Sequence, residues 1–165
     1  MVYKRVILKR GKEESLKRFH PWVFSGAIAR MDNIEEGDLV TVYDHEGNLI
    51  GNGHYQIGSI AVRILTFDDT EIDSAFFVKR LTEAFKMRQA LGLNRPDNNA
   101  FRLVHGEGDF LPGLVVDIYG STAVMQAHSP GMHFARNLIA DALTQLPNGV
   151  VKNVYYKSET TLPYK

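Results

Sequence analysis

The chain has 165 residues, 23% charged, 44% apolar and 10% aromatic, the balance of a globular protein with a buried core rather than of a disordered segment or a coiled coil. No apolar run has the length to span a bilayer, and the basic start Met1-Val2-Tyr3-Lys4-Arg5 lacks the apolar stretch of a secretory signal, so a cytoplasmic protein is expected. With no cysteine there is no disulfide framework, thiol nucleophile or cysteine-ligated zinc.

The net charge of zero conceals an asymmetry. Residues 1–30 hold eight basic side chains (Lys4, Arg5, Lys9, Arg10, Lys12, Lys17, Arg18, Arg30) against Glu13 and Glu14. Residues 31–60 hold six acids (Asp32, Glu35, Glu36, Asp38, Asp44, Glu46) and no Lys or Arg. Such polarity points to a face for a polyanion with the acids placed on another side; a solvated surface with clustered charges is the alternative.

The first part of the chain reads as all-β with a small helical or irregular insert. Val2–Arg10 alternates, with Val6 and Leu8 on one face and Arg5 and Lys9 on the other. Asp38–Asp44 is a second strand, followed by the turn sequence Asp44-His45-Glu46-Gly47-Asn48. Leu49–Tyr55 continues the hairpin, with Gly51 and Gly53 marking a bulge or a close backbone approach. Ile60–Phe67 is a further strand with Arg63 set between Val62 and Ile64. Short strands punctuated by glycine favour a small barrel.

An acidic linker, Asp68-Asp69-Thr70-Glu71, separates this unit from a mixed one. There, Asp73 or Ser74 caps a helix running to about Leu91, with Phe77, Leu81, Ala84, Phe85 and Leu91 near one face and Gly92 beyond it. Phe101–Val104, Gly113–Tyr119 and Ser121–His128 read as strands. Ser129-Pro130 opens a second helix to about Leu146, with Phe134, Leu138, Ala142 and Leu146 on its core side. Val150–Lys157 is one more strand, and Ser158–Lys165 a polar tail with no closing element. The expected architecture is a small β-barrel over residues 1–69, then an α+β domain over 73–165 with two helices and a short sheet.

Few motifs carry chemistry. The strand and turn Val115–Ala123 superficially resemble a nucleotide-cradling loop, but only Gly120 is present and a strand follows where a helix is needed. Gly51-Asn52-Gly53 and Gly106-Glu107-Gly108 open no helix either. His105, Glu107 and Asp109 lie close in sequence, yet acids in a glycine-rich loop commonly accept backbone N–H bonds, so no metal site is expected. Phe19-His20-Pro21-Trp22-Val23-Phe24 sets the single tryptophan among aromatics beside Lys17 and Arg18. Trp22 and Phe24 are expected to plug the barrel end, and a base-stacking platform is the rival reading.

The run Leu16-Lys17-Arg18-Phe19-His20-Pro21-Trp22-Val23-Phe24-Ser25-Gly26-Ala27-Ile28, with Gly37-Asp38-Leu39-Val40, Gly51-Asn52-Gly53-His54-Tyr55 and Val62-Arg63-Ile64-Leu65, resembles a PUA domain. It is similar to the variety that begins bacterial ribosomal RNA large-subunit methyltransferases of the 5-methylcytosine type. Phe101-Arg102-Leu103-Val104-His105-Gly106-Glu107-Gly108-Asp109-Phe110-Leu111-Pro112-Gly113-Leu114-Val115-Val116-Asp117-Ile118-Tyr119-Gly120 is similar to that family's middle domain. The resemblance implies recognition of structured RNA, expected to be large-subunit ribosomal RNA, through a basic barrel face. The residues expected to contact RNA are Lys4, Arg5, Lys9, Arg10, Lys12, Lys17, Arg18 and Arg63, the last equally readable as part of a structural ion pair. A second copy of the chain is a candidate partner, and a membrane is not.

Those enzymes also carry a C-terminal Rossmann-like domain that binds S-adenosylmethionine and supplies the catalytic residues. It would follow a point close to Lys165. The chain is therefore expected to be an N-terminal part that binds RNA and is not catalytic alone, with no catalytic, cofactor-binding or metal-binding residue of its own. Two rivals stand beside this: a freestanding RNA-binding or protein-adaptor module, and a small hydrolase using Glu107 or Asp109.

Overall fold

A computed structural model describes residues 2–162 and divides the chain into two compact units between Ile72 and Asp73. The first unit holds strand β1 (Lys4–Leu8), a one-turn helix α1 (Glu14–Lys17), β2 (Trp22–Phe24), β3 (Ile28–Met31), β4 (Leu39–Tyr43), β5 (Leu49–Tyr55) and β6 (Ile60–Thr66). They form one six-stranded sheet in the order β2-β6-β5-β4-β1-β3. The first strand of the chain lies inside it, parallel to β4 (Val6 opposite Val42) and antiparallel to β3 (Val6 opposite Met31).

Connectivity forces this sheet to curl. Five spacings of ~4.8 Å would put the edges of a flat six-stranded sheet about 24 Å apart. Yet the edge strands β2 and β3 are consecutive in the chain, joined only by the 3-10 turn Ser25–Ala27, and the steps from Phe24 to Ile28 reach at most about 14 Å. The sheet therefore wraps one core, in which Val6, Leu8, Val23, Val40, Val42, Val62 and Ile64 are buried together and Ile28 packs against them. The small barrel expected from sequence is an unclosed one. Its edge strands are only three and four residues long, and the Ser25–Ala27 turn stands where ladder bonds would close it.

The two glycines of β5 mark the close approach that their spacing suggests. A Cβ at Gly51 would stand 2.2 Å from the Thr66 carbonyl oxygen, and one at Gly53 2.2 Å from that of Arg63. Both are β6 backbone atoms that cannot move aside, so only glycine fits. The register also shifts between Asn52 and Gly53.

Trp22 and Phe24 do not plug this barrel. Val23 between them is buried in the core, and alternation along β2 puts its neighbours on the opposite, outer face, with Phe24 half exposed. Across that face Trp22 pairs in register with Arg63, Arg63 with His54, and His54 with Leu39.

The second unit holds α2 (Ser74–Ala90), β7 (Ala100–His105), β8 (Leu114–Tyr119), β9 (Thr122–Ala127), α3 (Pro130–Phe134), α4 (Arg136–Thr144) and β10 (Asn153–Tyr156). Its four strands run in the order β10-β9-β8-β7, with β10 parallel to β9 and the rest antiparallel. Leu114, Val116, Ile118, Ala123, Met125 and Ala127 are buried at alternate positions of β8 and β9. The α2 cap is Asp73, whose carboxylate accepts the Phe76 N–H at 2.9 Å. Phe76, Phe77, Leu81, Ala84 and Phe85 form its buried face, whereas Leu91 lies beyond the last turn and is exposed.

The expected single helix after Ser129 is two. It breaks at Ala135, whose ψ of 1° leaves the helical range, and the break resets the phase of the buried face. Met132, Ile139, Ala142 and Leu143 point inward, while Phe134 and Leu138, expected in the core, are exposed. The unit thus has three helices rather than two. The tail also closes: Ser158 is buried and its hydroxyl accepts the Ala127 N–H at 2.8 Å, while the Thr161 hydroxyl donates to the Ala127 carbonyl. Residues 163–165 of that tail lie outside the described residues.

Candidate nucleic-acid interface

The eight cations expected to meet RNA fall into three groups. Lys4 and Arg5, at the start of β1, are paired. Lys4 Nζ lies 2.7 Å from Asp38 Oδ2. Arg5 Nε and Nη2 each reach a different Asp32 oxygen at 3.3 Å, and the Arg5 backbone N–H donates to Asp32 at 2.8 Å. The Lys4 ammonium, followed by the Glu35 backbone N–H, holds the Asp38 carboxyl below its usual range. Arg5, through its backbone N–H and then its guanidinium, does the same for Asp32. The acids of residues 31–60 are therefore not confined to another side: two of them neutralise the first two cations, because the chain returns antiparallel in β3 and passes Asp32 back beside Arg5.

The second group lies in the connection from β1 to β2. Gly11, at φ +80°, turns the chain, leaving Arg10 and Lys12 exposed. Among the described residues neither has a carboxylate partner. Lys9 Nζ donates to the Gly26 carbonyl at 2.9 Å. Lys17, half exposed, stands 3.9 Å from the buried carboxylate of Glu13, one turn earlier. Arg18 Nε donates to the Glu14 carbonyl. Five cations thus share one short connection. Arg63 stands apart on β6, beside Trp22 and hydrogen-bonded to the Gln56 side-chain oxygen.

Beside these cations runs a set of rings that counting charges does not find. His20, Trp22 and Phe24 follow at alternate positions, His20 edge-on to Trp22 at 5.6 Å and Trp22 edge-on to Phe24 at 6.3 Å. The period of two in His20-Pro21-Trp22-Val23-Phe24 was the available signal for it. A cleft of about 310 Å³ at the β2 edge is lined by Lys12, Ser15, Trp22, Phe24, Gly26 and Ala27, with Leu16 and Val23 of the core at its floor. Phe19, 69% exposed and held at φ +63°, packs edge-on against Phe67 above a second cleft that carries Asp44 and Glu46.

His54, behind Arg63 on the same face, is buried with its Nδ1 unpartnered. Burial, and then the positive charge of Arg63, pushes its pKa down to about 4, so it stays neutral at physiological pH.

In the second unit the clustered polar residues brace a loop. The Arg88 guanidinium grips the Asp109 carboxylate through both nitrogens, Nη2 to Oδ2 at 2.8 Å, and the same carboxylate accepts the His105 N–H at 2.7 Å. Arg102 pairs with Asp117 at 2.8 Å. Asp109, 6% exposed and fully engaged, is poorly placed for acid–base work. Among the described residues no three His, Asp or Glu side chains gather as metal ligands.

The glycines of these motifs sit in turns or against neighbouring backbone. Gly120 sits in the tight turn between β8 and β9, Gly51 and Gly53 are filled by β6 backbone, and Gly106 and Gly108 belong to a single 3-10 turn. No helix among the described residues is long and apolar enough to cross a membrane.

Known proteins resemble the chain over most of its length. Residues 6–67 match the family model of a PUA-like domain. A ribosomal RNA large subunit methyltransferase I from Escherichia coli is 41% identical over 145 residues, covering 86% of this chain and 36% of the relative. The protein of the same name from Klebsiella pneumoniae is 40% identical over 148 residues, 88% of this chain and 37% of its own length. Among solved structures, a candidate SAM-dependent methyltransferase from Streptococcus mutans superposes with a TM-score of 0.79 at 18% identity, over 96% of this chain and 41% of that one. SMU.776, a candidate methyltransferase solved with SAH, gives 0.80 over 96% and 40%. At that identity the likeness shows the fold alone. The chain spans about a third of the length of the curated relatives it matches. Residues 6–67 match a PUA-like domain, and over most of its length the chain is similar to part of a ribosomal RNA large subunit methyltransferase I.

Proposed function

We propose that this chain is the RNA-binding part of an S-adenosylmethionine-dependent methyltransferase that forms 5-methylcytosine in large-subunit ribosomal RNA. Recognition is its share of the work, and methyl transfer is not performed by these residues alone. The observation that carries this reading is the β1–β2 connection, which puts Lys9, Arg10, Lys12, Lys17 and Arg18 together on a unit matching a PUA-like domain. Phosphate contacts require cations free to exchange a counterion for a phosphate. Arg10 and Lys12 meet that requirement best, whereas Lys4 and Arg5 already have carboxylate partners. The 5-methylcytosine product and the absence of catalysis by the chain alone rest on the resemblance of Leu16–Ile28 and Phe101–Gly120 to that enzyme family and on the lack of any cysteine in the chain.

The test is binding of structured large-subunit ribosomal RNA fragments across a salt series. Affinity should fall steeply and linearly on a log–log plot, because each neutralised phosphate releases counterions. Arg10→Glu with Lys12→Glu should weaken binding at least about tenfold and flatten that slope by about two. Binding indifferent to salt, or to this double reversal, would sink the proposal.

A further inference from the structure

We infer that the outer face of β2 is a stacking site for an unpaired RNA base, with Lys12 placed for the adjoining phosphate. The inference rests on the RNA-binding reading and adds the form of RNA taken: a single-stranded nucleotide rather than a duplex.

Four observations converge. The first is the ring ladder. His20, Trp22 and Phe24 are held on one face because Val23 is locked in the core at 2% exposure, and the Trp22 backbone N–H orients the His20 ring by donating to its Nδ1 at 3.2 Å. The rings are fixed before any ligand arrives, so little ordering cost falls on binding.

The second is uncovered aromatic surface. Phe24 is 50% exposed beside the half-buried Trp22, and nothing in the first unit's core needs it there. Third, β2 is a sheet edge, bonded to β6 on one side only, so a flat ligand can approach the rings past the strand. The adjoining cleft of about 310 Å³ lies at the small end of the range for ligand sites, a volume suited to one nucleotide.

The fourth is charge, and it selects between two clefts. The one lined by Lys12, Trp22, Phe24 and Gly26 has no carboxylate in its lining. The neighbouring one under Phe19 is of similar size and also has a ring and a lysine, but it carries Asp44 and Glu46, which repel a phosphate. Base faces are hidden in an A-form duplex and available in loops, bulges and single strands, so a platform of rings beside a lone cation selects the unpaired form.

Trp22 is the only tryptophan, so its emission reports from the site itself. The full chain is titrated at low salt with a labelled single-stranded RNA of about eight nucleotides and with a blunt duplex of the same length. Anisotropy of the label gives total binding, and tryptophan emission gives contact at β2. Quenching should accompany the single strand and not the duplex. Phe24→Ala, a half-exposed position where the fold is checked by circular dichroism, should weaken single-strand binding about five- to a hundredfold and leave duplex binding unchanged. If anisotropy rises while emission and the Phe24→Ala affinity stay unchanged, stacking is wrong and RNA binding stands. Equal quenching by both RNAs overturns the preference for unpaired bases. If neither RNA raises the anisotropy, the RNA-binding reading falls as well.

Discussion

Lys4 and Asp38 in the first unit meet at 2.7 Å with 45% and 32% of their side chains exposed; Arg88 and Asp109 in the second meet with 12% and 3% exposed. The chemistry is the same and its consequences are opposite. Water and salt screen the first pair, which therefore holds little of the fold. The second has been taken out of water, and each partner depends on the other to offset its lost hydration. The Lys4–Asp38 pair lies at the rim, where it is open to a ligand and can be changed without unfolding the domain. The Arg88–Asp109 pair is built into the fold, and Asp109, one of the loop acids expected to accept backbone N–H bonds, works there as a brace.

The contrast breaks most visibly at Arg88. Arg88→Met leaves Asp109 buried and unpaired and should cost about 3–5 kcal/mol in urea unfolding. Adding Asp109→Leu should recover part of that loss, since the uncompensated charge is then gone. A loss under about 1 kcal/mol would mean that water reaches the pair.

A smaller effect comes from His54, the buried histidine of the first unit. Its pKa of about 4 in the fold lies below the ordinary 6.5, so between these values the unfolded chain binds a proton that the native one refuses. Stability should be level above pH 6.5 and fall by about 3 kcal/mol as pH drops to 4. His54→Gln should flatten most of that window. His133 is also held below its ordinary value, by burial first and Arg136 second, and contributes a residual slope of the same sign. An unchanged pH profile in the variant would show that His54 does not carry the effect.

The smallest change is expected at the rim. Lys4→Gln should leave the unfolding midpoint within error and alter RNA affinity less than Arg10→Gln does. The reverse order would place the binding face at the start of β1.

What the sequence reveals here depends on how far away the partner is. Strands β5 and β6 are readable because their alternation, their glycines and their pairing are all local. Strands β2 and β3, three and four residues long, escape notice because β6 and β1, which hold them, lie far along the chain. The break at Ala135 is silent for another reason: alanine is the best helix former, and only packing interrupts it. At the candidate site, the cations are plain from composition. That Lys4 and Arg5 are already neutralised is not, because Asp38 and Asp32 lie 34 and 27 residues away. The ring ladder had a local signature, but which face of β2 it occupies depends on the core that Val23 enters.

The interior position of β1 bears on how the protein is made. Val6-Ile7-Leu8 leaves the ribosome well before its partners, β3 from Ile28 and β4 from Leu39, and until they arrive this apolar strand has edges open to pairing with other nascent chains. Lys4 and Arg5 on one side and Lys9 and Arg10 on the other bracket it with charge, the arrangement that keeps a waiting strand from aggregating. Neutralising all four together should therefore lower the yield of soluble protein before any RNA is added. Single and double substitutions are the ones that separate recognition from synthesis.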